Sequence, residues 1–192
     1  MHHTLKPPLS LDSSPNLQQH DAEQLRQDIK NYFLQTFSCY ESLFECLTEQ
    51  GFYHKAIALR HPLIFYYGHT ATFFVNKLLL AKLIPERVDP HFEALFAIGV
   101  DEMSWDDLDD RHYAWPSIQA VHAYRQKVKA LVLHFIDTHP LQAPINWQHP
   151  WWAVMMAIEH ERIHLETSSV LIRQQQLEYV LSHPQWRPYT QH

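Results

Sequence analysis

Three glycines in 192 residues place the tightest limit on what this chain can fold into. Tight β-hairpins, phosphate-cradling loops and dinucleotide-binding turns need backbone in the left-handed region, or an approach closer than a Cβ allows, and glycine supplies both. Three are too few for a multi-strand sheet built on such turns. Helices need none, and a chain that is 46% hydrophobic and 13% aromatic can fill the core of one ordinary domain.

Apolar residues recur at helical spacing in four segments. Residues 21–47 carry Leu25, Ile29, Tyr32, Phe33, Tyr40 and Leu43, with Gly51 as the expected stop. Residues 61–84 open on Pro62, which suits a first turn, and hold His69 in line with Phe65, Phe73, Asn76 and Leu80. Gly68, just before that histidine, costs helix stability of about 1 kcal/mol relative to alanine, a cost that close approach of another group would justify. Residues 117–139 begin at a capping Ser117 and keep the period through Ile118, Val121, Tyr124, Val128, Leu131 and Phe135. Residues 151–173 form the fourth segment.

Between the second and third segments, residues 85–116 lose the rhythm and gather six acidic residues and two tryptophans in DEMSWDDLDDRHYAWP. A connection of this length is either a solvated crossover between bundle helices or a loop facing a substrate or partner, and the residues leave both open. The expected architecture is all-α: a four-helix bundle over residues 20–176, with a long crossover between its second and third helices. Residues 1–19 read as a mobile arm and residues 177–192 as a linker-like tail.

A formal charge of −6 without a Lys/Arg stripe argues against a nucleic-acid or anionic-membrane partner. No signal-peptide core and no run of about 18 apolar residues occurs, so a soluble, cytoplasmic protein is expected. Cys39 and Cys46 form no metal-binding or disulfide pattern and read as buried thiols.

The fourth segment, WWAVMMAIEHERIHLETSSVLIR, carries His160 and His164 one turn apart, so both imidazoles can point at one atom. They lie in a stripe with Trp152, Met156, Thr167 and Leu171 that reads as buried. Among sixteen histidines, about one such pair is expected by chance. Its place on a periodic helix, with His69 on the corresponding face of another, supports a metal site; hydrogen-bonded core histidines fit the same pattern. His160-Glu161-Arg162-Ile163-His164 also matches the H-E-x-x-H of zinc proteases. That reading lacks an edge strand for peptide and a downstream third ligand, and Glu161 falls on what reads as a polar flank.

The stretches HPLIFYYGHTATFFVNKL, FAIGVDEMSWDDLDDRHYAWPS and IEHERIHLETSSVLIRQ resemble the N-terminal DinB-like domain of ovothiol-type 5-histidylcysteine sulfoxide synthases. These are relatives of the ergothioneine sulfoxide synthases, and the similarity runs over residues 27–186. The resemblance implies a non-haem Fe(II) held by His69, His160 and His164, with cysteine, histidine and O2 as substrates. Ile163 stands where the ergothioneine branch usually has glutamine, which points to the ovothiol branch. By the same resemblance Ile163, Arg111 and Trp105 are expected to face the substrate. A sulfatase-modifying-factor-like domain normally follows and supplies a catalytic tyrosine, so these residues are expected to need it as a partner. Two other functions fit the same residues: a stand-alone DinB-like thiol transferase using Zn²⁺ or Ni²⁺, and a non-catalytic bundle that docks a partner.

Overall fold

The computed structural model of the chain describes residues 11–97 and 114–186. In order, its helices are α1 (Ala22–Phe44), α2 (Glu49–Tyr53), α3 (Leu63–Leu80), α4 (Pro90–Leu95), α5 (Ile118–Thr138) and α6 (Trp152–Arg173), followed by a 3₁₀ turn (Leu177–Tyr179). The expected all-α class holds, and no strand forms among the described residues; Leu47 and Val180 make an isolated bridge.

Polar side chains start several helices by accepting from amides that the first turn leaves without partners. Asp21 takes the N–H groups of Glu23 and Gln24 at 3.1 and 3.0 Å, and Ser117 takes that of Ala120 at 3.2 Å. Asp89 caps α4 ahead of Pro90, and the buried Glu93 reaches back to the amides of Val88 and Asp89.

Two helix ends differ from the sequence reading. The second long helix stops at Leu80 rather than near residue 84, because Lys82 turns into the left-handed region (φ 56°) and the amide of Leu83 bonds the carbonyl of Leu78. This is a Schellman cap, with lysine where glycine is usual. Gly51, expected to end the first helix, lies inside α2. A Cβ there would sit 2.8 Å from the carbonyl oxygen of Tyr179, because the chain folds back over this turn. Residues 177–186 of the tail continue along it: Leu181 donates to the Cys46 carbonyl and the Trp186 indole to Ser42. At the other terminus, residues 1–10 of the expected arm lie outside the described residues, while Leu17 accepts from the Ile145 amide and packs on the core.

Around the bundle the order is α1, α6, α3, α5, each long helix packing on two neighbours. The pairs Tyr32–Glu159, Thr36–Arg162 and Tyr40–Ser168 show α1 and α6 running parallel. Contacts of Tyr66 with His164 and Phe73 with His160 make α3 antiparallel to α6. Lys30–Asp137 and Glu41–Arg125 do the same for α1 and α5. Residues 81–117 connect α3 to α5 and carry α4; of these, residues 98–113 lie outside the described residues.

The interior divides into two apolar clusters. One holds Phe33, Phe37, Phe74, Val132 and Trp151, the other Tyr40, Phe44, Phe65, Phe96 and Ile172. Between them runs a buried polar layer containing Thr70, Arg125 and Glu161. The histidines stand at the outer edge of that layer.

Candidate metal centre

The buried face of α6 is set by Val154, Ile158, Glu161, Ser168 and Ile172. The stripe expected to be buried is so only at Leu171 and otherwise lies on the shoulder: Met156 is 42% exposed, Thr167 is exposed, and His160 and His164 are half-buried. The helix carries apolar residues over an arc wider than one face, so periodicity alone does not choose which part meets the core. Packing against α1 and α3 turns Glu161 inward. The correction matters chemically, since it puts the two imidazoles on the α3–α6 seam with an outlet to solvent.

His69 projects from the middle of α3 onto the same seam and is buried. Its Nε2 lies 3.3 Å from Nε2 of His160. One ring nitrogen from each of His69, His160 and His164 falls within 4.8 Å of the others. His69 Nδ1 lies 2.8 Å from the carbonyl oxygen of Phe96 and donates to it, which turns Nε2 toward His160 and the cluster. A backbone carbonyl on the far nitrogen is the usual way to orient a metal-binding imidazole. His160 is held flat against Phe73, centroids 3.6 Å apart and planes within 6°.

Burial pushes the His160 imidazole down from 6.5 to about 2, helped by His164, His69 and Lys77. Burial and His69 lower His164 to about 4. Both rings are thus neutral at neutral pH, the form that binds metal. His160 Nδ1 is buried and finds no hydrogen-bond partner among the described residues. Three imidazoles from two helices, with His69 and His160 nitrogens 3.3 Å apart and all three within 4.8 Å, stand within a small adjustment of the spacing that nitrogens about 2.1 Å from a shared ion adopt, and so fit a divalent metal. Imidazole suits Zn, Cu, Fe and Ni alike, so the donors do not select among them.

Glu161 takes no part in this cluster. It is fully buried, and its Oε1 accepts from Arg125 Nη2 at 3.0 Å and Thr70 Oγ1 at 3.1 Å. Burial opposes both charges: it raises the Glu161 carboxyl against the pull of Arg125 and Thr70, and on Arg125 it is outweighed by Glu161, Tyr67 and Glu41, which hold the guanidinium charged. A glutamate committed to a buried guanidinium cannot serve as the general base of a zinc protease, and Glu161, expected on a polar flank, is core. Periodicity held the signal for this pair: Arg125 shares a face with Val121, Val128 and Val132, and Glu161 with Val154, Ile158 and Ile172. Opposite charges on two apolar faces call for each other.

Of the other expected site residues, Ile163 is 60% exposed beside His164. Trp105 and Arg111 lie outside the described residues. Phe96, which sequence reasoning did not single out, reaches His69 because α4 carries it there. Both cysteines are free and buried, as expected, and burial raises each thiol to about 11.

The pattern of the DinB superfamily matches residues 32–168, a span holding all three histidines, the whole of α3 and most of α6. The chain belongs to the DinB superfamily. It is also similar to the ergothioneine biosynthesis protein 1 of Neurospora crassa, at 25% identity over 144 residues, which cover 72% of this chain and 16% of that protein. This DinB bundle therefore spans about a sixth of the length of the curated relative it matches. No helix among the described residues is long and apolar enough to cross a membrane.

Proposed function

We propose that His69, His160 and His164 hold a divalent metal, Fe(II) in this reading. The chain would then be the metal-binding part of an O2-dependent sulfoxide synthase joining the sulfur of cysteine to the imidazole of histidine, as in ovothiol biosynthesis. The observation that carries the metal is the convergence of three imidazoles within 4.8 Å on the solvent-facing side of the α3–α6 seam. The sulfoxide-synthase reading draws support from the similarity to the ergothioneine biosynthesis protein, and the choice of iron and of the ovothiol branch from the family resemblance and from Ile163.

Bound iron would supply a charge that keeps a substrate thiol deprotonated and coordination positions for thiolate and O2. The chain's own part is to present neutral nitrogens, to fix the His69 tautomer through Phe96 and to lock the His160 ring on Phe73. The outer side of the seam, where His160 and His164 are half-buried, would be left for substrate. Ile163 offers apolar surface there, and a sulfatase-modifying-factor-like partner is proposed to complete the pocket.

Anaerobic titration with Fe(II) tests the assignment. One Fe(II) per chain is expected, with a rise in melting temperature; at a hundredfold excess over Kd the gain is about 2.7 kcal/mol. His160→Ala should abolish both. Unchanged iron content in that variant would overturn the ligand set. Because imidazole does not select iron, a thiol transferase using Zn²⁺ or Ni²⁺ on the same residues is the second reading. Zinc retained through purification, with thiol-adduct formation in the absence of O2, would favour it.

A further inference from the structure

His69 and His160 come from different helices, so the gap between their nitrogens depends on how α3 and α6 are set along and about their axes. The residue following each histidine, Thr70 and Glu161, belongs to one buried hydrogen-bond group. Thr70 Oγ1 donates to Glu161 Oε1 at 3.1 Å. Arg125, reaching in from α5, donates through Nη1 to Thr70 Oγ1 and to the Tyr67 carbonyl, both at 2.8 Å, and through Nη2 to Glu161 Oε1 at 3.0 Å. Thr70, Arg125 and Glu161 are each 0% exposed. The rings of Phe37, Tyr40 and Tyr67 stand 4.3, 5.2 and 4.8 Å from the guanidinium carbon and close it off from water.

A dry ion pair of this kind adds little net stability over well-packed apolar residues, because desolvating both charges offsets their attraction. Glu161 Oε2 also has no hydrogen-bond partner among the described residues, so the carboxylate is not fully satisfied. What the group does supply is registry. A shift of α3 against α6 by one residue, about 1.5 Å along the axis, would break the bonds at Thr70 and Glu161 together. Movement at either residue is movement of the adjacent histidine.

We infer that Thr70, Glu161 and Arg125 are positioning residues that set the separation of His69 and His160, and through it the affinity and coordination geometry of the metal centre. This rests on the three-histidine metal reading above. The probe is Co(II) added to the full chain, since its visible absorption reports the ligand geometry as well as occupancy. Thr70→Val keeps the shape of the side chain and leaves the ion pair in place. It should weaken Co(II) binding about tenfold and alter the visible bands, while Thr70→Ser, which restores the hydroxyl, should return affinity to within about twofold. Glu161→Gln, read in the same two ways, supplies a second route should the valine variant fold poorly. Affinity and spectrum unchanged in a folded Thr70→Val or Glu161→Gln protein would overturn the inference, whatever the melting temperature does. A wild-type chain that binds no Co(II) would instead remove the metal reading, and this inference with it.

Discussion

A Cβ on Gly68 would sit 2.4–2.5 Å from the ring of Phe96, the residue whose carbonyl takes the Nδ1–H of His69. Crowding at this glycine was legible in the sequence, since a mid-helix glycine costs stability unless something needs the space. Its partner was not, because Phe96 lies 27 positions beyond His69. Gly68→Ala gains about 1 kcal/mol of helix propensity and loses about 1–3 kcal/mol to overpacking, so net destabilisation is expected. Urea unfolding with an unchanged or higher midpoint would show that Phe96 moves aside at a cost no larger than the propensity gained. His160 and Glu161 show the same division between neighbours. Adjacent in sequence and turned about 100° apart, they serve the seam and the core respectively.

At the scale of elements, α1 and α5 follow their apolar spacing closely, because each has one narrow buried face. α3 is buried nearly all round, and α6 carries apolar residues beyond its buried face, so for these two the pattern locates the helix and not its rotation. Helix ends depend on backbone conformation that composition scarcely marks. Lys82 takes the left-handed position that closes α3 in a chain with only three glycines to spend elsewhere. Lys82→Gly removes the Cβ penalty at that position and should stabilise the protein by about 1 kcal/mol, visible as a higher urea midpoint with an unchanged slope. A lower midpoint would mean that the lysine side chain holds the cap by contacts of its own.

For the whole molecule, burial of the histidine cluster links folding to pH. Burial holds His164 near 4 and His160 near 2, against 6.5 for each when free. Across the window from about pH 6.5 down to about pH 4, the unfolded metal-free chain binds protons that the folded one does not. Stability contributed by the neutral rings is therefore fully present above 6.5 and is lost as pH falls. Removing one ring should flatten the profile: between about pH 7 and about pH 5, the melting temperature of metal-free His164→Gln should decline less than that of wild type. Equal slopes in the two proteins would contradict a neutral, buried His164.

Apolar spacing and the scarcity of glycine were enough to establish an all-α bundle and the four long helices, since both act locally along the chain. The three histidines, too, could be picked out from spacing and resemblance. Which way α6 turns, that Glu161 answers Arg125 rather than a metal, and that Phe96 orients His69 were decided only by tertiary packing. Each depends on contact between residues 27 or more positions apart, where no local period carries information.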